Sequence, residues 1–168
     1  MIAPERFRDA ELLEPKLALE RGGVAVTVAS TRPGVAAGML GARVPVDCTV
    51  RRADAADFDA LVIAGGAGAP AHLWDCEPLL ALVRAFHAAG KPVGAICLAG
   101  AVLARAGILR GRRATVHPAA RARLELKRAG AVFVEQPVVV DGAIITASGP
   151  ESAVAFGAAL ITQLTTAS

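Results

Sequence analysis

The chain has 168 residues, the size of one typical domain, with no Pro-, Gly- or Ser-rich stretch that would separate two. Its 54% hydrophobic and 20% charged residues exclude a disordered chain, and the arginines behind a formal charge of only +3 are scattered, without interleaved aromatics, which argues against a nucleic-acid-binding face. No apolar run approaches the roughly eighteen residues of a membrane span, no signal-peptide core follows Met1, and three cysteines without C-x-x-C spacing read as free thiols; the expectation is one cytoplasmic domain, 1–168, with no nucleic-acid or membrane partner.

In chain order, only Met1, Ile2 and Ala3 precede Pro4, so the opening strand of an α/β sheet is either a short stub or truncated. Residues 12–21 have helical spacing of apolar side chains, with Asp9 as a candidate N-cap; Pro15 cannot donate to the Glu11 carbonyl, so the helix should distort there. Residues 24–30 (Val-Ala-Val-Thr-Val-Ala-Ser) form an apolar strand pattern, and 33–50 read as a loop with short hairpin strands.

Further apolar β-branched runs at 60–64, 92–96 and 143–147 are predicted strands. Helical patterns at 78–89, 99–106, 119–129 and 151–164 alternate with them, and residues 133–141 followed by Gly142 suggest another hairpin. Gly22-Gly23, Gly90, Gly107 and Gly130 each follow a helical pattern as stop signals. Alternation of this kind implies a mostly parallel sheet covered by helices on both faces, a three-layer α/β/α sandwich.

Two segments carry chemistry. Pro92-Val-Gly-Ala-Ile-Cys97-Leu-Ala-Gly100 passes from an apolar strand directly into a helical pattern, as a nucleophile elbow does. A residue at that junction stands at the carboxyl end of a parallel sheet, where open α/β folds bind ligands, and the helix start favours a thiolate. Spacing alone leaves two readings of Cys97 open, a reactive thiol and a small buried core residue. The second segment, Asp57 to Ala64 followed by Gly65-Gly66-Ala67-Gly68, ends a strand in a glycine turn that aims backbone N–H groups at an oxyanion; it lacks the Lys-Ser/Thr of a phosphate-binding loop. By its local sequence Glu11 is an ordinary solvated residue of a first helical turn.

Asp9-Ala-Glu11-Leu-Leu-Glu-Pro15, Asp59-Ala-Leu-Val-Ile-Ala-Gly65-Gly66, Ala95-Ile-Cys97 and Thr115-Val-His117-Pro118 together resemble the PfpI/ThiJ superfamily, which includes the Parkinson-disease protein deglycase and the PfpI intracellular peptidases. The resemblance runs nearly the whole chain, ending with Val138-Val-Val-Asp-Gly142 and Thr146-Ala-Ser-Gly149-Pro150. It implies a flavodoxin-like, mostly parallel sheet, a cysteine nucleophile at Cys97, an acid at Glu11 that hydrogen-bonds the sulfur, and an oxyanion hole from the amides of Gly66 and Leu98, with Gly65 in the same turn. His117 matches a histidine near the nucleophile in the deglycase-like branch, although a His before Pro also serves to satisfy local backbone groups. His87 reads as a helix-face residue, His72 as a rim residue, and Cys48 and Cys76 as structural.

The implied activity is cofactor-independent, metal-free and cysteine-dependent: glyoxalase- or deglycase-like action on a small reactive carbonyl or a glycated protein or peptide, in stress protection and in a homodimer or higher oligomer. Peptidase members of the superfamily typically carry His directly after the nucleophile, where this chain has Leu98, so amide hydrolysis lacks its base. The alternative is a redox-sensing or chaperone-like role through oxidation of Cys97.

Overall fold

The apolar runs that lack polar alternation form the middle of the sheet, because strands packed between two helical layers have no solvent face. The structure is a computed structural model that describes residues 1–166. In chain order its elements are β1 (Glu5–Phe7), α1 (Asp9–Arg21), β2 (Ala29–Ser30), β3 (Gly34–Gly38), β4 (Arg43–Val46), β5 (Cys48–Thr49), β6 (Leu61–Ile63), α2 (Ala69–His72) and α3 (Glu77–Ala88). They continue with β7 (Val93–Ile96), α4 (Gly100–Ala106), β8 (Arg113–Ala114), α5 (Ala120–Arg128), β9 (Val132–Phe133), β10 (Val138–Asp141), β11 (Ile144–Ala147) and α6 (Ala153–Thr166).

The main sheet has the order β10-β11-β7-β6, parallel from β11 through β7 to β6 and closed at one edge by antiparallel β10. Every residue of β7 and β11 is buried, as an interior parallel strand requires. On one face lie α1 and α6, where Leu19, Phe156 and Leu160 pack against Ile96 and Ile145. Here Gly157 permits close approach: a Cβ on it would stand 3.1 Å from both Ala18 Cβ and Pro15 Cα. On the other face α3, α4 and α5 bury Leu79, Val83, Phe86, Leu103 and Leu126. The architecture is the single-domain α/β/α sandwich with a parallel-rich sheet that the sequence predicts.

Three expectations need correction. The predicted strand at 24–30 is paired only at Ala29–Ser30, where β2 lies parallel to β5; residues 24–28 lack a ladder because the segment on their other side is only Met1 to Ala3. The hairpin predicted over 133–141 lies further on: β10 pairs with β11 across Gly142, while β9 runs parallel to β8. Asp9 does not cap α1. The N-cap is Arg8, and the buried Asp9 carboxylate instead accepts the N–H groups of Leu40 (2.8 Å) and Ala42 (2.7 Å) from the β3–β4 turn. Burial opposes that ionised carboxylate, but these amides outweigh it and hold Asp9 below its ordinary range. Helix α1 runs on through Pro15 to Arg21.

The layer joining α6 to the sheet sets a clear stability contrast within one helix. Phe156 is fully buried and Val154 is 67% exposed. Phe156→Ala should lower the unfolding free energy by about 3–5 kcal/mol, through lost burial plus a cavity, whereas Val154→Ala should change it by less than about 0.5 kcal/mol. Urea titration followed by far-ultraviolet circular dichroism measures both.

Candidate active site

Strand β7 delivers Ile96 in extended conformation, and the next residue, Cys97, adopts φ 60°, the left-handed region that side-chain-bearing residues avoid. That conformation costs on the order of 1–3 kcal/mol and persists only where neighbours over-determine it. The neighbours are identifiable. A single 3-10 turn, Cys97–Ala99, leads straight into α4, whose start is packed so closely on Val116 that a Cβ on Gly100 would lie 2.9 Å from the valine Cγ2. The Cys97 carbonyl accepts the His117 N–H (3.4 Å), and the Leu98 carbonyl accepts the Trp74 indole N–H (2.8 Å).

Glu11 reaches the same point from α1. It is only 1% exposed, in the first helical turn, where the local sequence suggested a solvated residue. Its Oε2 accepts the Gly65 N–H at 2.9 Å and its carboxyl faces the Cys97 thiol, while Oε1 is buried with no nitrogen or oxygen partner among the described residues. An orphan carboxylate oxygen in an apolar site is costly. Protonated, the carboxyl avoids that cost and can donate to the adjacent thiol sulfur. Burial is the largest influence on Glu11 and raises it; the hydrogen bonds with Cys97 and Gly65 and the charge of Arg8 oppose this, and the result is a carboxyl that titrates at about 7.

The thiol departs from the helix-end expectation. Burial and then the Glu11 carboxylate push Cys97 well above the ordinary thiol range, and the N–H groups of Leu98 and Gly66, which point at the sulfur, offset this only in part. When Glu11 holds the proton, the repulsion disappears and the carboxyl donates to sulfur, so the ionised thiol is tied to the neutral acid.

The glycine turn is where side chains are impossible. A Cβ on Gly65 would lie 2.7 Å from the Ile96 carbonyl oxygen, 2.8 Å from Glu11 Oε2 and 3.0 Å from Cys97 Cβ. Gly66 adopts φ 105° and its missing Cβ is crowded by the backbone of Phe7 and Arg8. The structure thus brings together Cys97, Glu11, Gly65, Gly66 and the Leu98 amide. His117 contributes its backbone to the Cys97 carbonyl, but its ring Nδ1 accepts the Ala119 N–H (3.1 Å), leaving Nε2 as its proton-bearing nitrogen. A cavity of about 240 Å³ opens nearby between Thr115, Val116, Pro118, Ser148 and Glu151.

Sequence reasoning missed several supports. Arg6 has φ 57°, and its carbonyl accepts the Gly68 N–H, while the Arg8 N–H donates to the Gly65 carbonyl (3.1 Å). Trp74 lies under two guanidinium groups, Arg105 at 5.1 Å and Arg121 at 4.6 Å from the ring centroid. A lone Trp one turn past a glycine cluster is the only one of these with a visible signal. His72 contacts Glu5 at the surface, and Cys48 and Cys76 are half-buried. Among the described residues no His, Cys, Asp and Glu cluster could hold a metal ion, and no helix is long and apolar enough to cross a membrane.

The raised carboxyl has a consequence for stability. Glu11 favours its neutral form in the fold, so its contribution is fully present below its usual value of 4.5 and is lost as pH rises through about 7. The loss amounts to about 3 kcal/mol. Urea titrations of wild type and Glu11→Gln at pH 4 and pH 8 should show the wild type losing about that much more stability than the variant.

Comparison with known proteins shows the family of the chain. The family model described as DJ-1/PfpI family matches residues 1–163. An uncharacterized protein of Methanocaldococcus jannaschii is 48% identical over 94% of this chain and 77% of its own length, and a deglycase of Pyrococcus abyssi is 35% identical over 89% of each. The crystal structure of a ThiJ/PfpI domain protein from Brachyspira murdochii superposes with a TM-score of 0.93 at 33% identity, covering 99% of this chain and 95% of that one. The chain belongs to the DJ-1/PfpI family.

Proposed function

We propose that this protein is a cysteine-dependent, cofactor-independent enzyme acting on small reactive carbonyls, of the glyoxalase or deglycase kind. The observation that supports it is the convergence on one sulfur of the buried Glu11 carboxyl and the amides of Gly66 and Leu98. The deglycase name carried by a relative that is 35% identical points the same way.

For an α-oxoaldehyde the steps balance without an outside oxidant. The Cys97 sulfur bonds to the aldehyde carbon, and the alkoxide so formed is held by the Gly66 and Leu98 amides and takes the proton from Glu11. The Glu11 carboxylate then removes the proton from that same carbon and returns it to the adjacent ketone carbon, while the hydroxyl proton of the first carbon passes to the ketone oxygen and the first carbon becomes a thioester carbonyl. Water cleaves the thioester, releasing a 2-hydroxy acid and the thiol. One carbon is oxidised and its neighbour reduced within the substrate. An amide substrate would need its leaving nitrogen protonated, and Leu98 supplies no base for that. His117, with Nδ1 engaged, is assigned to lining the site through Nε2.

A second reading has one specific observation behind it: the unpaired Glu11 Oε1 would donate to a Cys97 sulfinate as readily as to a thiolate. Mass spectrometry after mild peroxide separates the two roles. Modification of the half-buried Cys48 or Cys76 ahead of Cys97 would end the sensing role.

Two measurements test the enzymatic reading. Methylglyoxal consumption with release of lactate should fall to background in Cys97→Ser and by about 10²-fold or more in Glu11→Gln; equal turnover by wild type and Cys97→Ser would overturn it. The first proton leaves the Glu11–Cys97 pair at about pH 7, and the state with one proton left includes the nucleophile. Alkylation of Cys97 by iodoacetamide should therefore rise through about pH 7 and then level off, an inflection that Glu11→Gln removes.

A further inference from the structure

Beside the Cys97 site stands a cation that the fold itself does not use. Arg8 precedes α1 as its N-cap residue and is half-buried, and its Nε is sealed from solvent with no hydrogen-bond partner among the described residues. Its guanidinium makes no ion pair there either, whereas the more exposed Arg32, Arg112 and Arg123 each sit on a carboxylate. The two carboxylates nearest in sequence are engaged elsewhere: the Asp9 oxygens take the Leu40 and Ala42 amides, and Glu11 takes the Gly65 amide and hydrogen-bonds the thiol. Glu151, whose charge also reaches Glu11, is exposed to solvent. A buried donor left idle is unfavourable until a ligand completes it. In a guanidinium, Nε–H and one Nη–H form the planar edge that takes a carboxylate or phosphate through two parallel hydrogen bonds, so the idle atom is half of an oxyanion clamp.

The backbone fixes where that clamp stands relative to the nucleophile. The Arg8 N–H donates to the Gly65 carbonyl (3.1 Å), and a Cβ on Gly66 would stand 2.3 Å from the Arg8 nitrogen. Residue 8 therefore lies directly against the turn whose Gly66 amide points at the Cys97 sulfur. Its charge is felt at the Glu11 carboxyl, one turn along α1. The Gly66 and Leu98 amides are taken up by the oxygen of the reacting carbonyl, so a second, permanent negative group on a ligand needs a donor of its own, and Arg8 is the donor left over.

We infer that Arg8 is the anion-binding residue of the Cys97 site, and that the ligands taken there are small carbonyl compounds carrying a carboxylate or phosphate close to the reacting carbon. That the reacting group is a carbonyl rests on the function proposed above; the oxyanion clamp does not. Methylglyoxal, being neutral, leaves Arg8 idle.

Two alkylating reagents of nearly equal size, anionic iodoacetate and neutral iodoacetamide, test the clamp on the intact protein. Both read the same thiolate, so any influence of Arg8 on its ionisation cancels in the ratio of their rates. Peptide mass spectrometry follows Cys97, with Cys48 and Cys76 as internal controls. Relative to cysteine in solution, the iodoacetate-to-iodoacetamide ratio should be raised about 10-fold at Cys97 and unchanged at the other two. Arg8→Gln should return it to the solution value, and Arg8→Lys, which keeps the charge and loses the planar edge, should keep only part of it. Inorganic phosphate separates the two oxyanions: slower iodoacetamide alkylation of Cys97 in the wild type but not in Arg8→Gln extends the clamp to phosphate, and no slowing confines it to carboxylates. A wild-type ratio equal to that of cysteine in solution would overturn the inference, as would a raised ratio that persists in Arg8→Gln. Should Arg8→Gln unfold, the wild-type ratio and its partial loss in Arg8→Lys decide alone, and full retention in Arg8→Lys counts against the clamp. Absence of methylglyoxal turnover bears on the carbonyl reading alone, because the alkylation ratio does not pass through turnover.

Discussion

A carboxyl group and a thiol share one water-poor site in which a single hydrogen-bond donor, the Gly65 amide, is committed to Glu11, and the rest of the site follows from what that scarcity forces. With one oxygen satisfied and the other buried without a partner among the described residues, the carboxyl gains by keeping a proton into the neutral range. The sulfur cannot carry charge beside an ionised carboxylate at this depth, so acid and nucleophile change state together. Such a pair can give up a proton and take it back between its own two members.

Holding that pair in contact requires rigidity in backbone more than in side chains. Cys97 at φ 60° and Arg6 at φ 57° are both strained, and each is pinned by hydrogen bonds across the glycine turn or to a neighbouring strand. The Arg8 amide on the Gly65 carbonyl and the Gly68 amide on the Arg6 carbonyl weld the entry of α1 to the end of β6. On the far side Trp74 fixes the Leu98 carbonyl while two arginines cover its ring, and Arg105 also pairs with Glu125 at 3.0 Å, tying α4 to α5. Strain at the nucleophile is thus set against interactions from both helical layers.

The sequence made the alternating architecture legible because burial on both sides leaves a mark: unbroken apolar runs at 61–63, 93–96 and 144–147 and periodic helices between them. The elbow at Cys97 and the turn at Gly65-Gly66 were legible for a related reason, since small residues at a strand end have few uses other than close approach. What stayed hidden were interactions between groups distant in the chain. Nothing near Asp9 announces a loop thirty residues away whose amides it caps, and nothing near Glu11 announces a thiol across the sheet. Left-handed Arg6 carries no local signature at all. The pattern at 24–30 expresses a strand propensity, yet a strand exists only with a partner, and pairing there is confined to Ala29 and Ser30.

The edge and the site are physically connected through those first residues. Met1 and Ile2 bridge β6 to β2; four residues later the chain forms the strained Arg6 turn and then α1, which carries Glu11. Glu11, Leu12, Pro15 and Leu19 also line a cavity of about 740 Å³, so the helix that presents the acid to sulfur borders open space along part of its length. Because a raised carboxyl depends on exclusion of water, any change in how tightly α1 is backed alters the Glu11 proton before it alters any distance within the site. The order of the sheet edge and the chemistry of Cys97 are in this sense one property of the fold, transmitted through a single turn of helix.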